Sequence, residues 1–356
     1  MSVEKKRKVP VVEKKAFTLD KYKKTKGFDT DVALKPLKWI PASKTFQEAA
    51  GIPGIPVSSS SVIRGWSDTG KGTFMIELMV NCQKMKILPV IIITEQKWNW
   101  SHPKLMGFEV DETIDESTGA IDYSGFFIYI DRSKFQTVEQ LGKIIFDILD
   151  DQEKGDLPYD ICFFIDSFGK LNCDMGVDKG RYQVEWVASA IAHTFGAGVI
   201  PRIGLSKKET SKYSNTLFSI TQPWLEKPTV YGAQPRMKSK GGESLPQDSD
   251  LIFNFGGVVN AGVSKLKAKK NKKEIVFGTR TRIEVYKNHC TMVTTKSTII
   301  STAHGFIAEG EEKEYFKKHA DFFMQQLGSE NIDDIEFEEE SIEESGEEIL
   351  NNMSDE

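Results

Sequence analysis

Nine consecutive residues, Gly65-Trp-Ser-Asp-Thr-Gly70-Lys71-Gly72-Thr73, combine three glycines, a lysine and three hydroxyls between a short strand-like run and an apolar helical one. Such a turn lets successive backbone N–H groups and a helix N-terminus converge on an anion. In that setting Lys71 would reach the β- and γ-phosphates of a nucleoside triphosphate and a hydroxyl would hold Mg2+. The residue after Lys71 is Gly72, so the metal-binding hydroxyl is expected one place later, at Thr73. Gly65, Trp66, Ser67, Asp68, Thr69, Gly70, Lys71, Gly72 and Thr73 thus form the expected phosphate cradle.

Two carboxylates close apolar runs. Asp166 ends DICFFIDS, the place for a group that orients a magnesium shell. Glu95 ends PVIIITE, where a general base could activate water against the terminal phosphate. Either alone is also what a strand leaving the core for solvent looks like. The joint placement carries the reading, because open α/β sheets bind ligands at the carboxyl ends of their strands.

The elements that must hold these groups follow from periodicity. Ser61–Arg64, Leu88–Thr94, Phe126–Ile130, Ile161–Ile165 and Leu217–Ile220 read as strands, Leu88–Thr94 a continuous β-branched run of the kind covered on both faces and Ile161–Ile165 another buried strand. Gly70–Met85, Thr137–Leu149 and Tyr182–Phe195 read as helices, the second with Thr137 as its cap. Alternating strands and helices predict an α/β fold with a mostly parallel twisted sheet flanked by helices. The segments Leu251–Phe255, Glu274–Phe277, Thr281–Tyr286 and Ser297–Ser301 have no intervening helices and predict an antiparallel extension on the C-terminal side. Trp98 and Trp100, just past Glu95, read as packing groups rather than a platform for a base. His102, His193, His304 and His319 have no metal-ligand spacing.

Charge is segregated along the 356 residues. Residues 1–26 hold ten Lys/Arg against three acids, Lys265–Lys287 hold nine against two, and Glu330–Glu356 hold thirteen acids and no base. Basic segments point to a polyanion partner, and an acidic tail to a solvated, disordered segment able to compete for the same groove. No apolar run approaches the ~20 residues that span a bilayer, so a membrane protein is not expected. The basic start has no apolar stretch behind it, which argues against a secretory signal, and the string Lys5–Val9 reads as part of a basic arm rather than a nuclear-import signal. Cys82, Cys162, Cys173 and Cys290 show no CxxC pairing and read as reduced thiols of a cytosol-like compartment.

The order of these motifs over roughly residues 50 to 307 resembles the RecA family, especially the phage UvsX-like recombinases. GWSDTGKGT is similar to the family's phosphate loop, Glu95 to its catalytic glutamate, and Asp166-Ser167 to its second motif. Ser219-Ile-Thr-Gln222 resembles the strand whose glutamine senses the γ-phosphate and begins a DNA loop, and Lys240-Gly-Gly-Glu the end of that loop. Lys287 matches a base lent to the neighbouring subunit's ATP; the second such base is His289 here. No compact C-terminal domain follows, only a short helical pattern over Glu311–Leu327 and the acidic tail. The resemblance implies a RecA-like ATPase core over residues 46–310 and a DNA-dependent ATPase using ATP and Mg2+ in the cytoplasm of a bacterial or phage-infected cell. Residues 1–45 would form an oligomerisation arm.

The same resemblance places DNA contacts in two stretches. One, Lys170–Arg181, carries Lys170, Lys179 and Arg181; the other, Pro223–Gly241, carries Lys227, Arg236, Lys238 and Lys240 interleaved with Trp224 and Tyr231. Cations neutralise phosphates and aromatic faces stack on bases, a combination suited to single-stranded DNA, with double-stranded DNA as the second substrate of strand exchange. Lys265–Lys273 reads as a hairpin tip. An ATP site completed by a neighbour's Lys287 requires head-to-tail homo-oligomers, which continue as filaments or close as rings. The competing readings are a RecA-fold ring helicase, a small-molecule kinase with a GKGT loop, and a filament-forming DNA binder with impaired hydrolysis.

Overall fold

A computed structural model of the chain describes residues 19–26, 33–95, 98–226, 236–239, 241–257, 262–270, 273–327 and 335–342. Lys227, Tyr231 and Lys240, placed in the second DNA stretch from sequence, lie outside them. Among the described residues no helix is long and apolar enough to cross a membrane.

The fold is α/β, a large mixed sheet flanked by helices. Six strands run parallel: β1 (Ser60–Gly65), β2 (Leu88–Ile93), β3 (Ile128–Asp131), β4 (Ile161–Asp166), β5 (Asn215–Thr221) and β6 (Leu251–Phe255), in spatial order β6-β1-β5-β4-β2-β3. Their side chains alternate between two buried layers. Val62, Val90, Ile92, Phe163 and Leu217 face one core, while Ile63, Ile91, Ile93, Phe164 and Phe218 face the other. A strand covered on both faces has no solvent side, which is why β2 and β4 read as unbroken apolar runs. Pro89 is tolerated within β2 because Leu88 donates its N–H to Asp160 on the β4 side, and pairing with β3 on the other side begins only at Val90.

Helices cover both faces. Helix α1 (Lys44–Ala50) is capped by Ser43, whose side chain accepts from the Phe46 N–H, and ends on Gly51 in the left-handed region. It packs with α2 (Lys71–Met85) on one face, Phe46 stacking on Phe74 at 4.2 Å. On the other face lie α3 (Val138–Lys154), capped by Thr137 as its sequence predicts, and α4 (Val184–Ile191). The α4 rod begins two residues later than its sequence pattern suggests and continues through a wider π-helical stretch to Leu205.

Beyond β6 the sheet turns antiparallel through β7 (Val263–Lys270), β8 (Lys273–Asn288), β9 (Lys296–Thr302) and β10 (Gly305–Ile307). Leu251–Phe255 was expected in that extension; it is instead the last parallel strand, paired to β1 and preceded by the short helix Ser244–Asp248. Lys265–Lys270 lie in β7 itself and Lys273 in β8, and residues 271–272 are outside the described residues. The C-terminal helical pattern is two helices, α5 (Glu312–Lys318) and α6 (Ala320–Leu327), packed on the antiparallel strands through Phe277, Phe316 and Phe323.

The acidic tail departs from its compositional reading. Glu336–Ile342 form strand β11, antiparallel to β7. Glu340 pairs with Lys267, Glu338 with Lys269 at 2.5 Å and Glu339 with Arg280 at 3.0 Å, while Phe337 packs against Phe277 and Phe316. Alternation of acid and apolar groups at Glu336, Phe337 and Glu338 suits a strand with one face on a core, and opposite charges across the ladder remove the repulsion that keeps such tails apart.

Because Phe74 is wholly buried where α1, α2 and the sheet meet, Phe74→Ala should lower the unfolding free energy by about 3–5 kcal/mol in denaturant titration. A loss under about 1 kcal/mol would show that this junction is not part of the cooperative core.

Candidate functional site

Local chain geometry makes the Gly65–Thr73 turn. A Cβ on Gly65 would come 2.7 Å from the Phe255 carbonyl oxygen, and Gly70 sits at φ +89° with Ser301 against it, so both need glycine. The Thr69 hydroxyl closes the turn by donating to the Trp66 carbonyl at 2.8 Å, and the Trp66 indole N–H is anchored on the Gly257 carbonyl. Helix α2 starts on Gly70 with no side-chain cap, unlike α1 and α3. Its first N–H groups are therefore left for another acceptor.

Lys71 is the half-buried cation of this turn. Its ammonium folds back to donate to the Trp66 carbonyl. Burial pulls its pKa down to about 8, opposed by the carboxylates of Asp166, Asp68 and Glu95. The Asp166 carboxyl is pushed up to about 6 by burial and then by Glu95, with Lys71 partly offsetting both.

The ends of β2 and β4 are laced together by Thr94, whose N–H donates to Asp166 O at 2.8 Å and whose hydroxyl donates to Ser167 O at 2.6 Å and accepts from Ser167 N–H at 3.0 Å. This fixes Glu95 and Asp166 side by side. Glu95 Oε1 accepts from the Ser167 hydroxyl at 3.5 Å and from the Gln222 amide at 3.4 Å, two long bonds that join β2, β4 and the end of β5. Lys71, Glu95, Asp166 and Gln222 line one cleft of about 1060 Å³ at the carboxyl edge of the parallel strands. Four residues spread over some 150 positions are gathered there as expected.

Thr73 is buried, its hydroxyl 2.8 Å from that of Ser301 on β9. Sequence reading missed both Thr94 and Ser301. Thr94 precedes Glu95 and could have been suspected as a strand-end hydroxyl, but Ser301 lies 228 residues from Thr73 and has no local signal. Gly72 is open: a Cβ there would have nothing within 4 Å.

The donor set suits a phosphate chain with a divalent cation. It offers uncapped amides, a half-buried ammonium, a hydroxyl and one carboxylate at each of Glu95 and Asp166. Among the described residues no group of three or more His, Cys, Asp or Glu could hold a metal unaided. A magnesium ion here would share its ligands with bound phosphate, its usual habit.

The remaining sequence-derived residues fall outside the cleft. Lys287, on β8 opposite Ile252, lies at the other edge of the parallel sheet and donates to the carbonyls of Gln247 at 2.6 Å and Pro246 at 3.4 Å. Lys170, Lys179 and Arg181 are exposed, but their stretch is a folded turn with the short helix Asp174–Asp178, and the Lys179 ammonium sits 4.7 Å over the Trp186 ring. Trp224, Arg236 and Lys238 belong to a hairpin, Pro223–Glu226 with Arg236–Ser239, in which Trp224 pairs with Lys238. Just past it, a Cβ on Gly241 would come 2.7 Å from Ile191 of α4 and 3.7 Å from Phe168. Trp100 is buried against Tyr123 and Phe127, with Trp98 edge-on to it, as packing groups.

No protein-family model matches the chain, and no curated protein matches it.

The space at Gly72 makes a direct test of the displaced hydroxyl. Gly72→Ser should leave the unfolding midpoint unlowered, since glycine near a helix start is no better than serine there, and should tighten magnesium-dependent nucleotide binding several-fold in calorimetry. Unchanged magnesium dependence would mean that Thr73 already supplies the only hydroxyl the cleft uses.

Proposed function

We propose that this chain is a RecA-like, ATP-dependent recombinase that coats single-stranded DNA as a homo-oligomeric filament and pairs it with double-stranded DNA. The observation that carries the reading is the meeting of Lys71, Glu95, Asp166 and Gln222, from four separate segments, in one cleft at the carboxyl edge of a parallel sheet. A kinase loop alone would not bring Gln222 onto the candidate base.

The roles follow from chemistry. Lys71, released from the Trp66 carbonyl, neutralises phosphate charge. Glu95, held by Ser167 and Gln222, takes the proton of an attacking water. Asp166 and Thr73 would hold Mg2+, which supplies charge stabilisation for phosphoryl transfer. Gln222 links that chemistry to DNA, because the hairpin bearing Trp224, Arg236 and Lys238 begins at the next residue. Lys287 faces away from its own cleft, which supports a head-to-tail arrangement in which it serves a neighbour's site. The acidic strand β11 covers Lys267 and Lys269, leaving those cations unavailable to a polyanion while it is seated.

The test is ATP turnover by the full chain, with and without single-stranded DNA. Turnover should rise on adding DNA, and Glu95→Gln should lower it by about 10²–10⁴-fold. Absence of turnover, or equal rates in the two proteins, overturns the reading. The pH profile has a set sign. Raising Asp166 to about 6 disfavours its carboxylate in the folded chain, so turnover should fall as pH drops through about 6. Lowering Lys71 to about 8 disfavours its ammonium, so nucleotide binding should weaken as pH rises through about 8.

A further inference from the structure

The cleft is larger than a phosphate chain needs. At about 1060 Å³ it matches the upper end of the roughly 300–1,000 Å³ that holds whole small-molecule ligands, and its wall away from Lys71 is made by α6. That helix comes from the C-terminal pair, outside every motif read from sequence.

Helix α6 presents two stripes. Phe323 and Leu327, four apart, are buried in the third core. Phe322 and Gln326, also four apart, form the next stripe and line the cleft. Phe322 is a large apolar side chain left 42% exposed. Its ring is nonetheless held in place, edge-on to His304 at 5.7 Å and to Phe323 at 5.2 Å. The short helix Ser101–Leu105 lines the same cleft and contributes Leu105, 40% exposed, and His102, whose Nε2 is buried with no partner. A pre-set aromatic face and an aliphatic side chain in one cleft, with an amide one turn along from the ring, are the equipment for gripping a flat heteroaromatic ring and reading its edge.

We propose that α6 is the nucleobase reader of this cleft, with Phe322 stacking on the base and the Gln326 amide pairing its edge in favour of adenine. A primary amide matches adenine because it offers one donor and one acceptor to the ring's adjacent acceptor and donor. The proposal rests on the Gly65–Thr73 loop holding the phosphates. Its occupant is the base of the same nucleotide, since loop and helix line one continuous cleft.

Calorimetric titration of the full chain with magnesium and ATP, GTP or inorganic tripolyphosphate separates the two ideas. Wild type should bind ATP more tightly than GTP and both more tightly than tripolyphosphate. Phe322→Ala should weaken ATP about ten- to hundredfold, the range for losing one base–aromatic stack, while tripolyphosphate affinity stays unchanged. Phe322→Tyr should retain ATP affinity, and Gln326→Glu should narrow the preference for ATP over GTP. Equal ATP affinity in Phe322→Ala and wild type, with tripolyphosphate still bound, overturns the base site and leaves the phosphate loop standing. If wild type binds neither ATP nor tripolyphosphate, the loop reading falls and takes this one with it.

Discussion

A cation partly withdrawn from water is held charged by the negative charge around it, and Lys71, half-buried in its turn, is such a cation. The carboxyl edge of the sheet is arranged around it. Asp166 and Glu95 come from adjacent strands, Asp68 from the turn, and together they oppose the burial that would otherwise discharge the ammonium. Asp166 is raised first by its own burial and then by Glu95 beside it. The cluster is thus electrostatically frustrated. A phosphate chain with a divalent cation would add an anion beside Lys71 and a cation beside Asp166, relieving both.

Rigid elements keep that frustration in place. Thr94 stitches the two carboxylate strands just before they leave the sheet, so neither strand end can shift away from the other without breaking a buried hydrogen bond. The buried Phe46–Phe74 stack fixes the far side of α2, and the Ser301 hydroxyl meets Thr73 in its first turn. A site built between strand ends and a helix start inherits the stiffness of both, whereas the segments expected to meet a polymer are a hairpin and a short helical turn at the surface.

The antiparallel end of the sheet answers a different constraint. An open edge strand carrying Lys265, Lys267 and Lys269 is protected from pairing with other chains by its charge, but it also attracts acidic segments. Here the attracted segment is the chain's own, aligned residue by residue from Val263 opposite Ile342 to Lys269 opposite Glu336. These pairs are solvent-exposed, and Phe337 in the third core supplies the apolar anchor that surface charges alone do not.

Much of the candidate site was legible one segment at a time. The glycine spacing before Lys71, the carboxylates closing two apolar runs and the Thr137 cap are local signals, because turn geometry, strand burial and helix capping are decided within a few residues. The parallel α/β core followed from the same alternation. Only the folded chain decided that Ser301 meets Thr73, that Leu251–Phe255 is parallel to β1, that Glu336–Ile342 zip onto β7, and that α6 walls the cleft. Each of these joins segments separated by scores to hundreds of residues. Such contacts are set by register and by which apolar faces find each other in three dimensions, and no local pattern of residue types encodes them.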